Sequence, residues 1–155
     1  MAIVNITGNI QSNAYRDGAV GTVKYTPSTV TLTASNSINS TFTLARLPSD
    51  ARIVGISMID ITDSTSTGAT LDIGLFPLED QYTESDDCIA SGIDLSSAVS
   101  GRLLTSLDSI TKSAYELLGA TENKGGLLDV KATLKGAAIV ADATLTLQLF
   151  YTIGE

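Results

Sequence analysis

The run ATLTLQLFYTI, residues 143–153, places Leu145, Leu147, Leu149, Tyr151 and Ile153 at every second position. A period of two puts these side chains on one face of an extended strand and the intervening ones on the other. A helix would scatter them around its circumference, so the run is read as a half-buried strand. The same period recurs in LLDVKATLKG, where Leu128, Val130, Ala132 and Leu134 alternate with Asp129, Lys131, Thr133 and Lys135. It recurs in STVTLTA, with Val30, Leu32 and Ala34 against Thr29, Thr31 and Thr33, and in TFTLARL through Phe42 and Leu44. In ATLDIGLFPL it sets Ala69, Leu71, Ile73 and Leu75 inward before Pro77 ends the strand. Val20 and Val23 lead into Tyr25 in the same way.

One interruption is informative. In FTLARLPSDARIVGISMID the apolar run stops at Leu47-Pro48-Ser49-Asp50 and then resumes. Pro48 cannot donate to a strand ladder and holds Leu47 extended, while Ser49 and Asp50 form turns. The spacing predicts a corner at which the chain crosses from one sheet to another. The run after it has Ile53, Ile59 and Ile61 on one side and Val54, Ile56 and Met58 on the other. A strand apolar on both faces is covered on both, by a second layer of the chain or by another subunit.

The remaining segments are less regular. TDSTSTGAT reads as a polar hairpin loop, and residues 79–109 as a long connection in which ESDDCIASG forms a helical turn capped by Thr83 or Ser85. ITKSAYELL, residues 110–118, fits a short helix or a strand, and Gly119 stops it. Residues 1–17 form an arm: Ile3, Val4, Ile6 and Ile10 are spaced by polar residues without a sustained period, and Asp17-Gly18 marks a turn. The arm lies on its own domain or on a neighbouring subunit. With 155 residues the chain makes one domain, residues 18–155, behind this arm. About seven or eight strands without a long helix give an all-β fold, an antiparallel two-sheet β-sandwich of jelly-roll-like type, with the strand order left open.

Chemistry is scarce. The chain has no histidine, which removes Ser-His-Asp and Cys-His machinery and most zinc catalysis. Cys88 is the single cysteine and stands beside Asp86 and Asp87, whose charge disfavours a thiolate. It forms no intramolecular disulfide, which fits a reducing compartment. Glu79, Asp80, Glu84, Asp86 and Asp87 are carboxylates on a polar loop, read as solvated. With no Trp in the chain to stack on a sugar, they do not resemble a glycosidase pair. They lack the spacing and glycine of an EF-hand, and whether the loop takes calcium stays open. No cofactor motif is present, and the expectation is a protein without catalysis, cofactor or metal. A net charge of −8 with scattered basic residues argues against nucleic acid as a direct partner. No apolar run approaches a membrane span, and MAIVNITGNI has no basic start of a secretory signal. An apolar arm and a strand covered on both faces point to self-association.

FTLARLPSDARIVGISMIDITDSTSTGATLDIGLF, the acidic loop after it, YELLGATENKGGLLDVKATLKG and the final alternating strand together resemble a family of small virion proteins of tailed bacteriophages. The resemblance spans about residues 18–153. Some members are jelly-roll cement proteins that decorate the capsid exterior. It implies a protein on the outer surface of the phage head, bound across joints between major capsid proteins and stabilising the shell. It implies a homo-oligomer, with a homotrimer at threefold sites favoured over a dimer at twofold ones. The arm does not match the family's pattern; its Ile3, Val4, Ile6, Ile10 and Tyr15 are the candidate capsid or intersubunit contacts. Other expectations are a tail, baseplate or fibre-attachment sandwich, or a module binding host-surface carbohydrate.

Overall fold

A computed structural model of the chain describes residues 5–7, 22–62 and 66–153. In chain order the strands are β1 (Asn5–Thr7), β2 (Lys24–Leu32), β3 (Thr41–Pro48), β4 (Ala51–Ile53), β5 (Met58–Ile61), β6 (Thr70–Pro77), β7 (Ser85–Asp94) and β8 (Val99–Arg102). Two short helices follow, α1 (Leu107–Thr111) and α2 (Ala114–Leu117), then β9 (Leu127–Lys135) and β10 (Ala143–Ile153). The first sheet has the order β1-β3-β9-β6-β7 and the second β2-β10-β5-β8, with β4 also on β10. Apart from β1, which runs parallel to β3, neighbours are antiparallel. Apart from β4–β5 and β6–β7, consecutive strands alternate between the two sheets, in the jelly-roll manner.

The alternating runs become strands with the expected face inward. Leu71, Ile73, Leu75, Leu128, Val130 and Leu134 from the first sheet, and Leu32, Leu145, Leu147, Leu149 and Tyr151 from the second, are fully buried. Ile153 is half-buried, and Ala34 lies beyond the end of β2 and is exposed. Each fully buried leucine contributes about 1.5–3 kcal/mol relative to exposure. A bulge between Thr43 and Ala45 lets Phe42, Leu44, Ala45 and Leu47 all face the core. Pro27 sits within β2, which tolerates it because β2 is an edge strand.

The Leu47-Pro48 corner does cross between layers. β3 belongs to the first sheet, and β4 pairs with β10 of the second. The crossing is pinned at Ser49. Its N–H donates to the Gly126 carbonyl at 3.1 Å, its carbonyl accepts the Tyr115 N–H at 2.9 Å, and its hydroxyl donates to Asn123 Oδ1 at 2.6 Å.

Several expectations need correction. The run 53–61 is not one strand covered on both sides. A turn closed by Ser57 N–H to the Val54 carbonyl, 2.9 Å, separates β4 from β5, and both then pair with β10. Ile56 and Met58 are left 55% and 36% exposed, so the chain does not cover the second side. TDSTSTGAT is not a hairpin loop, because it leads from β5 in one sheet to β6 in the other. ESDDCIASG is not helical: it lies in β7, an edge strand whose phase is broken by register shifts against β6. The ambiguous 110–118 segment is helical, with the Glu116 carboxylate accepting the Ser113 N–H at 2.7 Å to open α2 and Gly119 at φ 79° closing it.

Candidate interaction surface

A β-sandwich presents two outer sheet faces, and here they differ in chemistry. On the first sheet the outward positions of β9 carry charge, and each charge has a partner. Asp129 accepts two bonds from Arg46, at 2.7 and 3.3 Å. The Lys131 ammonium lies 4.9 Å over the Phe76 ring. Lys135 pairs with Asp86 at 2.5 Å, and this bond raises the lysine's pKa. A groove of about 450 Å³ on this face is lined by Thr41, Phe76, Glu84, Asp86, Thr133 and Lys135.

The outer face of the second sheet is close to uncharged. Strand register sets its side chains in rows across the strands. One row is Tyr25 beside Phe150, their rings stacked with centroids 4.7 Å apart. The next is Pro27, Gln148, Met58 and Arg102, and the next Thr29, Thr146, Asp60 and Ser100. The Thr29 and Thr146 hydroxyls meet at 3.3 Å. Val23 and Tyr25 are about half exposed. Asp60 and Arg102, on adjacent strands, are the charges within these rows; Arg52 stands at the end of the face and donates to Ser113 Oγ at 3.3 Å. On a chain of net charge −8, such a face is unusual ground. Interface cores are likewise depleted of charge and enriched in aromatics and Met.

The thiol and the loop carboxylates singled out from the sequence lie elsewhere. The Cys88 thiol is pushed up to about 11, chiefly by burial, with Asp87 adding to the shift. Among the described residues no group of three or more His, Cys, Asp or Glu side chains could hold a metal ion. Asp86 is held by Lys135, Asp87 accepts the Ser85 hydroxyl at 2.9 Å, and Glu79 accepts from Gln81. No described helix is long and apolar enough to cross a membrane.

Of the arm residues singled out from the sequence, Ile6 lies in β1, in register with Phe42 of β3. Ile3, Val4, Ile10 and Tyr15 lie outside the described residues, so the five are neither brought together nor separated. The uncharged face was not anticipated. A signal for it exists: outward positions in β2 and β10 are Thr, Tyr, Pro, Gln and Phe, whereas those of β9 are Asp, Lys and Thr.

No family model matches the chain, and no curated protein matches it. Solved structures do. A chain described as "Capsid of Ralstonia phage GP4" superposes with a TM-score of 0.67 at 17% identity, covering 98% of this chain and 99% of that one. A chain from "Cyanophage Pam1 capsid asymmetric unit" superposes with a TM-score of 0.58 at 16% identity, covering 88% and 89%. The jelly-roll sandwich found here is therefore a fold also present, over nearly its whole length, in the capsids of two phages.

Proposed function

We propose that this chain is a bacteriophage virion structural protein, a decoration or cement protein on the outside of the head. The observation that carries the reading is the end-to-end fold match to chains of two phage capsids. The sequence motifs quoted above and the inert surroundings of Cys88 and the loop acids support it. In this role the protein binds across joints between major capsid proteins, as a homo-oligomer. Each contact of standard size buries about 1,200–2,000 Å². Several contacts in one oligomer act together through effective concentration, so opening a joint requires breaking all of them. The arm, through Ile3, Val4, Ile6, Ile10 and Tyr15, is the proposed capsid contact. The role requires no catalysis and no cofactor.

Copy number tests this reading. Quantitative mass spectrometry of purified particles, against the major capsid protein, should find on the order of hundreds of copies, enough to place multivalent contacts over the shell. A few to some tens would place the chain in a tail, baseplate or fibre attachment, and none would remove it from the virion.

A further inference from the structure

We propose that the first half of β2, Lys24–Ser28, is a releasable strap that lifts from β10 while the rest of the sandwich stays folded. The strand changes character midway. Its inward positions are Lys24, Thr26 and Ser28 in the first half and Val30 and Leu32 in the second, and all five are buried. The Thr26 and Ser28 hydroxyls are sealed from solvent with no hydrogen-bond partner. So is the hydroxyl of Tyr151, which stands opposite Lys24 in the register of β10. Thr26 lies close enough to lower the Tyr151 pKa against the larger upward push of burial, but the two hydroxyls do not reach hydrogen-bonding geometry. A buried hydroxyl without a partner has lost its water and gained no bond in return, so it favours a state that returns it to solvent.

The two halves share one ladder. Phe150 turns its carbonyl to the Val54 N–H and its N–H to the Ser57 hydroxyl, and Thr144 turns both groups to Thr62. Both residues therefore point their backbone groups away from β2. These groups alternate along a strand, so Ala143, Leu145, Leu147, Leu149 and Tyr151 point toward β2 and pair with Leu32, Val30, Ser28, Thr26 and Lys24. The five are the same kind of hydrogen-bonded pair and differ in the side chains behind them. Pro27, which has no N–H, falls among the positions that face the other side, where no described strand pairs. The two ends differ as well. Beyond Leu32 the chain is tied, with the Thr33 N–H donating to Asn36 Oδ1 at 2.6 Å and the Ala34 N–H to Asp142 Oδ1 at 2.9 Å. In the first half the Tyr25 ring stacked on Phe150 is the latch on the outer side, and the hydroxyl seam on the inner side favours release.

Release returns the hydroxyls to water and uncovers the ladder groups of Leu147, Leu149 and Tyr151, an open strand edge to which an extended chain can add. It also adds five residues to the segment between β1 and β2, about 17 Å of reach at about 3.4 Å per residue. A chain still zipped at Val30 and Leu32 gains this reach without opening its apolar core. The inference does not rest on the decoration reading: a chain absent from phage particles would keep the strap, and an abundant virion protein could lack it.

Native-state hydrogen exchange of the full chain, read residue by residue by NMR, tests the strap. The Lys24, Thr26 and Ser28 amides should exchange at least about a hundredfold faster than those of Val30 and Leu32. Fraying alone would instead leave both ends, Lys24 and Leu32, fast and Ser28 in the middle slow. Replacing both hydroxyls, Thr26→Val with Ser28→Ala, should slow the strap amides at least about tenfold, because release then recovers less. Tyr25→Ala removes the latch and should speed them, with Val30 and Leu32 unchanged. The wild-type profile decides by itself should a variant fail to fold. Equal protection of all five amides, a profile symmetric about Ser28, or exchange of the strap only through global unfolding would each overturn the proposal. So would Tyr25→Ala without acceleration. Unchanged or faster exchange in the Thr26→Val, Ser28→Ala variant would overturn it too, and is the result expected if a bound water satisfies those hydroxyls.

Discussion

Replacing Gly74 with alanine should unpick one edge of the first sheet. Gly74 pairs with Lys131 of β9 on one side. On the other, the register against β7 jumps from Ile73–Ala90 to Leu75–Ser85, so residues 86–89 of β7 stand opposite this single glycine. The excess residues fold over it. A Cβ added at Gly74 would lie 1.9 Å from the Ser85 carbonyl oxygen and 2.5–2.6 Å from backbone carbons of Asp86. Ordinary contact begins at 3.4 Å, and every atom met is backbone, so no side chain can swing aside. The edge strand itself must move by more than an ångström. That displacement loosens Ile89, which is buried, and stretches the Lys135–Asp86 pair. Overpacking costs about 1–3 kcal/mol, and one or two ladder hydrogen bonds add about 1 kcal/mol each. A total of about 3–4 kcal/mol is a large share of a stability of about 5–15 kcal/mol. Urea denaturation followed by circular dichroism reads it directly. Gly101→Ala in β8 is the control, since its Cβ would meet nothing within 4 Å. A Gly74→Ala variant within about 1 kcal/mol of wild type, at unchanged m-value, would refute the steric reasoning.

Two further outcomes are expected. Stability should fall above pH 9. Burial raises the Cys88 thiol from 9.0 to about 11 and raises the Tyr151 hydroxyl, and Asp86 raises Lys135. A raised folded pKa gives stability that is complete below the unfolded value and is lost as pH climbs through the folded one. For Cys88 the window is pH 9 to 11 and the loss at most about 2–3 kcal/mol, less after solvent screening. The unfolding midpoint of Cys88→Ser should decline less steeply across that window. Deleting residues 1–17 should leave a folded sandwich, because the core residues described all fall in the segment from β2 to β10, and should weaken binding to capsids; unchanged affinity in a co-sedimentation assay would remove the arm from capsid contact.

The strands with strict alternation, β6, β9 and β10, could be read directly, because their buried faces follow the pleat without interruption. The Leu47-Pro48 crossing was equally legible, since proline chemistry acts locally. β7 was not: its excess residues opposite Gly74 shift the apolar phase, and its Asp86, Asp87 and Asp94 suit a solvent-facing edge and imitate a loop. The turn at Val54–Ser57 was hidden because Ile53 and Ile59 keep the same phase across it. The outer face escaped for a different reason. Alternation tells which residues face outward but not which become neighbours, and Tyr25 meets Phe150 only through long-range register. Of the arm residues, the structure places only Ile6 beside a known partner strand.

The position of β10 has a consequence for how the protein is made. It follows every other described strand in sequence, yet it lies inside the second sheet and pairs with β2, β4 and β5. During synthesis those three strands emerge with no partner between them and must wait for β10. Pairing so distant in sequence closes late and leaves edges exposed in the interval. A ribosome that stalls before residue 143 therefore releases a chain in which β2 and β5 cannot be brought side by side and the Tyr25–Phe150 stack is absent. Synthesis of β10 becomes a condition for displaying the assembled outer face.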